Sequence, residues 1–176
     1  MINKTEPIRI AIAGLGFGEI VHIPASLFNK DIELVGLWHP RQERLKEACI
    51  KHNLCAYKNW KDLVNDPNIE GIIIATPPAP RYEMALDAIK AGKHLLLEKP
   101  TCLNADEVIE LQRNALKMNL QIAVNYEYRA VPLFMQAKRI IRDKKLDEPY
   151  FVKLDWLMSS RANPDRPWNW YSDKDS

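Results

Sequence analysis

The stretch Ile8-Arg9-Ile10-Ala11-Ile12-Ala13-Gly14-Leu15-Gly16-Phe17-Gly18 decides the fold of this 176-residue chain. Its first six residues are short, β-branched and apolar, and they predict a buried strand that runs straight into a turn of three glycines. Glycines at such a turn let the backbone approach a pyrophosphate, and the helix that follows offers unpaired amides and a positive dipole end to the same group. Gly14 and Gly16 occupy the first two positions of a G-x-G-x-x-G pattern, whereas Glu19 holds the third and Gly18 stands one residue early. A strand before and a helix after are the context this pattern needs. The turn from Gly14 through Leu15, Gly16 and Phe17 to Gly18 is therefore expected to bind a dinucleotide.

Working outward, residues 20–28 carry apolar side chains at helical spacing, and Pro24 should confine or kink that helix near its first turns. Residues 32–38, 71–75, 94–97 and 121–125 read as further short apolar strands. Between them, 41–52, 59–64 and 80–91 suit helices, the last closing at Gly92. Asn104 should cap a helix through Met118, with Glu107 completing a capping-box pattern. Strands that alternate with helices, as continuous apolar runs without polar alternation, predict a parallel sheet covered on both faces. The fold class is a Rossmann-like, doubly wound α/β sheet over residues 1–129.

After Arg129 the character changes. Residues 132–144 suit a linking helix, and from Tyr150 to Met158 the pattern alternates, placing Tyr150, Val152, Leu154, Trp156 and Met158 on one face. We read 130–176 as a linking helix and the first strand of an incomplete α+β domain for substrate or oligomerisation. A lone strand leaves an unpaired edge and an apolar face, so self-association or a partner is expected through 150–171, where Trp168, Trp170 and Tyr171 cluster.

Composition removes several classes of function. With 47% hydrophobic and 27% charged residues the chain matches an ordinary globular protein. Its 25 basic and 23 acidic side chains lie in no long basic run and leave a formal charge of +2, which gives no footprint for nucleic acid or an anionic membrane. The polar start lacks the pattern of a secretory signal, and no apolar run spans a bilayer, so a cytoplasmic protein is expected. Cys49, Cys55 and Cys102 form no C-x-x-C pair and stand at no zinc-ligand spacing with histidine, so no metal is expected.

The choice between nicotinamide cofactors belongs at the end of the second strand, where an acidic residue would accept the ribose hydroxyls. The sequence there is Trp38-His39-Pro40-Arg41, without a carboxylate. Arg41 either pairs with a 2′-phosphate or begins a solvated helix face; the reading leans to NADP over NAD.

The glycine turn, Ala75-Thr76-Pro77-Pro78, Gly92-Lys93-His94 and Glu98-Lys99-Pro100, in this order, resemble the Gfo/Idh/MocA oxidoreductases, from Ile8 to about Trp156. The resemblance implies an NAD(P)-dependent enzyme that transfers hydride between nicotinamide and a sugar, polyol or similar hydroxyl compound. It implies that Ala75, Thr76, Pro77 and Pro78 line the nicotinamide side, and that Glu98 and Lys99 lie where hydride is exchanged. Lys99 is then the catalytic residue, its ammonium aimed at the substrate oxygen to stabilise alkoxide character. Asn125, Tyr126 and Arg129 match the family's exit from the strand at 121–125, which passes near the nicotinamide and the substrate, and His22 with Pro24 matches an H-x-P in the first helix; the resemblance makes Asn125 and Arg129 cofactor contacts and His22 and Tyr126 substrate contacts. Arg81 departs from the family, standing where many members have histidine, as does the missing acid of the second strand. The Asp and His that members carry in the second domain for proton transfer do not occur before Ser176. The alternative expectation is a truncated, non-catalytic dinucleotide-binding module that needs a partner.

Overall fold

The computed structural model describes residues 6–145, 147–148, 150–157 and 165. The chain divides into two compact units, Met1–Asn125 and Tyr126–Ser176.

The first unit holds a six-stranded, wholly parallel sheet of β1 (Ile8–Ala13), β2 (Ile32–Trp38), β3 (Cys55–Tyr57), β4 (Gly71–Ile74), β5 (His94–Leu97) and β6 (Ile122–Val124) in the order β3-β2-β1-β4-β5-β6. The helices α1 (Ile23–Phe28), α2 (Gln42–His52), α3 (Trp60–Asn65), α4 (Pro78–Lys90) and α5 (Ala105–Lys117) connect the strands. Alternation along β1 divides the core between two faces. Ala11 and Ala13 pack with Ile72, Ile74, Leu95 and Leu97 beneath α3, α4 and α5, whereas Ile10 and Ile12 pack with Leu37 and Ile73 against Ile23 of α1 and Leu45 and Ala48 of α2. Because both faces are covered, the central strands read as unbroken apolar runs; β4 is buried at all four residues. This is the doubly wound architecture expected from the sequence.

Several ends follow the expected chemistry. Gly92, at φ +77°, closes α4 in a Schellman turn, its amide donating to Ile89 O at 2.9 Å and that of Lys93 to Ala88 O at 2.9 Å. Asn53 and Asn119 adopt the same left-handed conformation after α2 and α5. Asn104 caps α5 by accepting from the Glu107 amide at 3.0 Å, and Glu107 returns the bond to the Leu103 amide at 3.1 Å, one residue earlier than a standard box.

Three details differ from expectation. Residues 20–28 do not form one helix: Gly18–His22 is a π-helical turn and α1 begins only at Ile23. Pro24, which has no amide to reach back, lies in the first turn of α1. The double proline does not delay α4, because Pro77 forms its N-cap and Pro78 its first residue, positions where a missing amide is harmless. The edge strand β3 is not foreseen; three residues at a sheet edge are too few to show a period. Gly36 of β2 is needed beside it, since a Cβ there would lie 2.4 Å from the ring of Tyr57.

The second unit contains a 3-10 turn (Glu127–Ala130) and α6 (Pro132–Arg142), none of whose residues is buried. Tyr128 meets Phe134 and Trp156 edge-on, at 6.1 and 4.8 Å between ring centres. The strand expected from Tyr150 is not formed among the described residues: 151–157 carry no ladder and are exposed throughout, because an extended segment becomes a strand only against a partner. Met158, Trp168, Trp170 and Tyr171 lie outside the described residues.

Candidate functional site

In the first unit, the turns that follow the strands gather at the carboxyl ends of the sheet, and the strand order reverses at β1, which is flanked by β2 and β4. In open α/β sheets that is where a crevice for a ligand forms. Bonds beyond the strand ends hold the turns together: Gly14 N donates to Trp38 O at 2.9 Å, Ala75 N to Ala13 O at 2.7 Å, Glu98 N to Ile74 O at 3.1 Å and Asn125 N to Leu97 O at 2.8 Å.

The glycines divide the work of the first turn. Gly14 has φ +97°, and a Cβ there would lie 2.7 Å from the carbonyl carbon and oxygen of Ala75 and 2.8 Å from Thr76 N. The turn after β1 thus presses backbone to backbone on the turn after β4. Gly16 is exposed, and a Cβ on it would meet nothing within 4 Å. Gly18 packs close to β1, with Ile12 Cγ2 only 3.2 Å from the place of its Cβ, so it does the packing work of the third glycine. Glu19 instead turns aside to Lys51 at 2.9 Å and His52 at 3.6 Å, and the Lys51 hydrogen bond leads in holding its carboxyl below the usual range. The side chain of Leu15 lies in the core, while its carbonyl accepts from Arg44 Nη2 at 2.7 Å. Phe17 meets the His22 ring edge-on at 5.6 Å.

A second cluster forms around Glu98 at the end of β5. Its Oε1 accepts from His22 Nε2 and from Asn125 Nδ2, each at 2.7 Å, and its Oε2 from the Lys99 amide at 3.2 Å. The π-helical turn, β5 and β6 thereby converge on one buried carboxylate. Burial pushes this carboxyl up, but the hydrogen bonds from His22 and Asn125 outweigh it, so its pKa lies below the ordinary value and the group is an anion at neutral pH. His22 Nε2 must then donate.

Arg81 of α4 is the largest fully buried side chain, 1% exposed. Its guanidinium donates to three backbone carbonyls, Thr76 O from the turn after β4 and Glu98 O and Pro100 O on either side of Lys99. The Lys99–Pro100 peptide is cis. Thr76 is buried, and its hydroxyl donates to Met84 Sδ at 3.7 Å.

The face after β2 is built by His39, whose Nδ1 accepts from the Arg41 amide at 3.1 Å. Burial is the main cause that holds this imidazole below its usual pKa, which suits the neutral form that accepts. Arg41 is exposed at the N-cap of α2. Trp38 packs against Trp60, with ring centres 5.7 Å apart.

Residues 8–126 match the model of the oxidoreductase family with an NAD-binding Rossmann fold that is named for Gfo, Idh and MocA. The chain belongs to the Gfo/Idh/MocA oxidoreductase family. A relative in this family, an uncharacterised oxidoreductase of Synechocystis sp., is 36% identical over 99% of this chain and 47% of its own length. The NADP(+)-dependent scyllo-inositol 2-dehydrogenase of Bacillus subtilis is 29% identical over 83% of the chain and 40% of its own length. Among solved structures, an NAD-binding oxidoreductase from Klebsiella pneumoniae superposes with a TM-score of 0.75 at 29% identity, over 81% of this chain and 40% of that one. The chain thus spans about half the length, or less, of the relatives it matches.

Within this Gfo/Idh/MocA chain the structure brings together Gly14, Gly18, Ala75 and Thr76 around one turn, and His22, Glu98, Lys99 and Asn125 around another. The side chains of Leu15 and Trp38 are instead engaged in packing. Tyr126 and Arg129 belong to the second unit, both exposed, with the Arg129 amide donating to Tyr126 O at 2.9 Å. Two contributors escape a sequence reading of the site. Arg44 is one charge among many on α2, and nothing in its spacing reveals a bond to Leu15 O. For Arg81 a signal exists: it shares helical spacing with Pro78, Ala85 and Ala88, so it falls on the buried face of α4, where a charge requires partners.

Proposed function

We propose that this chain carries the cofactor-binding half of an NAD(P)-dependent oxidoreductase, which transfers hydride between nicotinamide and a sugar, polyol or similar hydroxyl compound. The observation that carries the reading is the placement of Lys99: it leaves β5 at the carboxyl end of the sheet, its amide held by Glu98, in the same unit as a glycine turn with open space before Gly16. The residues fit a dinucleotide. Gly14 lets the turn pack on Ala75, Gly16 leaves room for a pyrophosphate, and Thr76 with Pro77 and Pro78 supplies a rigid nicotinamide side.

A bound nicotinamide supplies the hydride chemistry. The chain's own part is positional and electrostatic. The Lys99 ammonium stabilises negative charge on the substrate oxygen and orients the reacting carbon; as ammonium it gives the hydroxyl proton in reduction, and as neutral amine it takes that proton in oxidation, directly or through water. His22 and Tyr126 are read as substrate contacts, and Asn125 and Arg129 as cofactor contacts. Arg41, exposed where α2 begins, supports a preference for the 2′-phosphate of NADP, with Arg44 one turn further along.

The second unit is read as the start of a substrate or oligomerisation domain. The exposed Leu133, Phe134, Met135 and Ile141 of α6, and Tyr150, Phe151 and Leu157 beyond it, support association of this unit with a second copy or another chain.

Calorimetric titration of the purified chain with NADPH and NADH tests the reading. Binding of NADPH, weakened selectively by Arg41→Ala, is the expected result. Binding of neither cofactor would overturn it in favour of a module that has lost its ligand.

A further inference from the structure

We propose that Arg81 is a positioning residue for Lys99: its buried guanidinium locks the turn at Thr76 to the turn at Glu98–Lys99–Pro100, so that both move as one piece. The proposal rests on the role of Lys99 given above.

The physical need for the clamp lies in the prolines. Both turns lie past the ends of their strands, where the ladder stops, and Pro77, Pro78, Pro80 and Pro100 have no amide hydrogen to give to a nearby carbonyl. Thr76 and Glu98 are buried, and buried carbonyls without a donor are costly, whereas Pro100 is exposed and its carbonyl ties the clamp to the far side of Lys99. A guanidinium carries five N–H groups in a planar fork, so one side chain from α4 satisfies Thr76 O, Glu98 O and Pro100 O at once. Two of these carbonyls flank Lys99, whose own amide is held by Glu98 Oε2 at 3.2 Å. The backbone of Lys99 is thereby gripped on both sides by Arg81 and at its nitrogen by Glu98. Lysine cannot replace the clamp, because a single ammonium cannot span acceptors on two turns with the geometry of a fork. Lys93 performs a similar task elsewhere, its ammonium donating to Asp66 O and Ile69 O, but those two carbonyls belong to one loop.

The test compares wild type, Arg81→Ala and Arg81→Lys by hydrogen exchange and mass spectrometry, with NADPH and NADH titrations of the same samples. In Arg81→Ala we expect exchange at the Ala75 amide, which donates to Ala13 O, and at the Glu98 and Lys99 amides, which donate to Ile74 O and Glu98 Oε2, to accelerate together by about tenfold or more, while α2 keeps its protection. Methylguanidinium added to Arg81→Ala should restore protection at both turns and any lost cofactor affinity, and Arg81→Lys should restore only part. Unchanged exchange, acceleration at one turn alone, or an equal loss of protection across β1 and α2 would overturn the proposal, the last by showing that Arg81 supports the fold and not the turns. If Arg81→Ala does not fold, Arg81→Lys with the same exchange pattern carries the test. Wild type that binds neither cofactor defeats the oxidoreductase reading, whereas an unaltered exchange pattern defeats the clamp, so the two failures are separable.

Discussion

Replacing Gly14 by alanine places a methyl group 2.7 Å from the carbonyl carbon and oxygen of Ala75 and 2.8 Å from Thr76 N, all of them backbone atoms of the neighbouring turn. No side-chain rotation relieves that contact. The residue would also have to hold φ near +97°, a conformation that costs a non-glycine residue about 1–3 kcal/mol. Forcing β1 and β4 apart at their ends adds overpacking strain of about 1–3 kcal/mol. The sum, about 2–6 kcal/mol, is a large share of the roughly 5–15 kcal/mol that stabilises a domain. Gly16→Ala is the control, since its Cβ meets nothing within 4 Å and its φ lies outside the positive region. Its folding stability should stay within about 0.5 kcal/mol of wild type, while its affinity for cofactor falls by about tenfold or more, because the added carbon occupies the approach of the pyrophosphate. Urea denaturation followed by circular dichroism reads the first quantity and calorimetry the second. Equal stability of Gly14→Ala and wild type, or equal destabilisation by both substitutions, would refute the reasoning.

Three further outcomes are expected. Glu98 is held below its ordinary pKa of 4.5 in the folded state, so its ionised form contributes stability above that value and the contribution is lost as pH falls through the folded value; Glu98→Gln should make the loss of stability between about pH 5 and 3 shallower than in wild type, as measured by urea midpoints across that range. Asn104→Ala removes the acceptor for the Glu107 amide and should lower stability by about 1 kcal/mol without altering cofactor affinity; a change under about 0.3 kcal/mol by denaturation would show that water replaces the cap. Association through α6 and 150–157 should appear in sedimentation velocity as a concentration-dependent rise in mass, diminished by Leu133→Glu, whereas a monomer at every concentration excludes it.

Much of the first unit is legible in the order of residues because its signals are local. An apolar run of four to seven residues is a strand buried on both faces, a proline belongs to a first helical turn, and Gly92 and Asn104 mark a helix end and a helix start through bonds to residues three to five positions away. The glycine turn announces a dinucleotide site for the same reason. What the order of residues left open was decided by neighbours distant in sequence. Gly18 stands in for the third glycine only because a π-helical turn and the Ile12 side chain meet there. Glu98 becomes the hub of a buried network only because His22, 76 positions earlier, and Asn125, 27 later, are brought to it by parallel strands. Arg81 reads from sequence as a departure from a family pattern, and three carbonyls on two turns make it a clamp. The alternation from Tyr150 is a local signal without the long-range half of its meaning: an extended chain is a strand only when another strand supplies its hydrogen bonds, and none of the described residues does so.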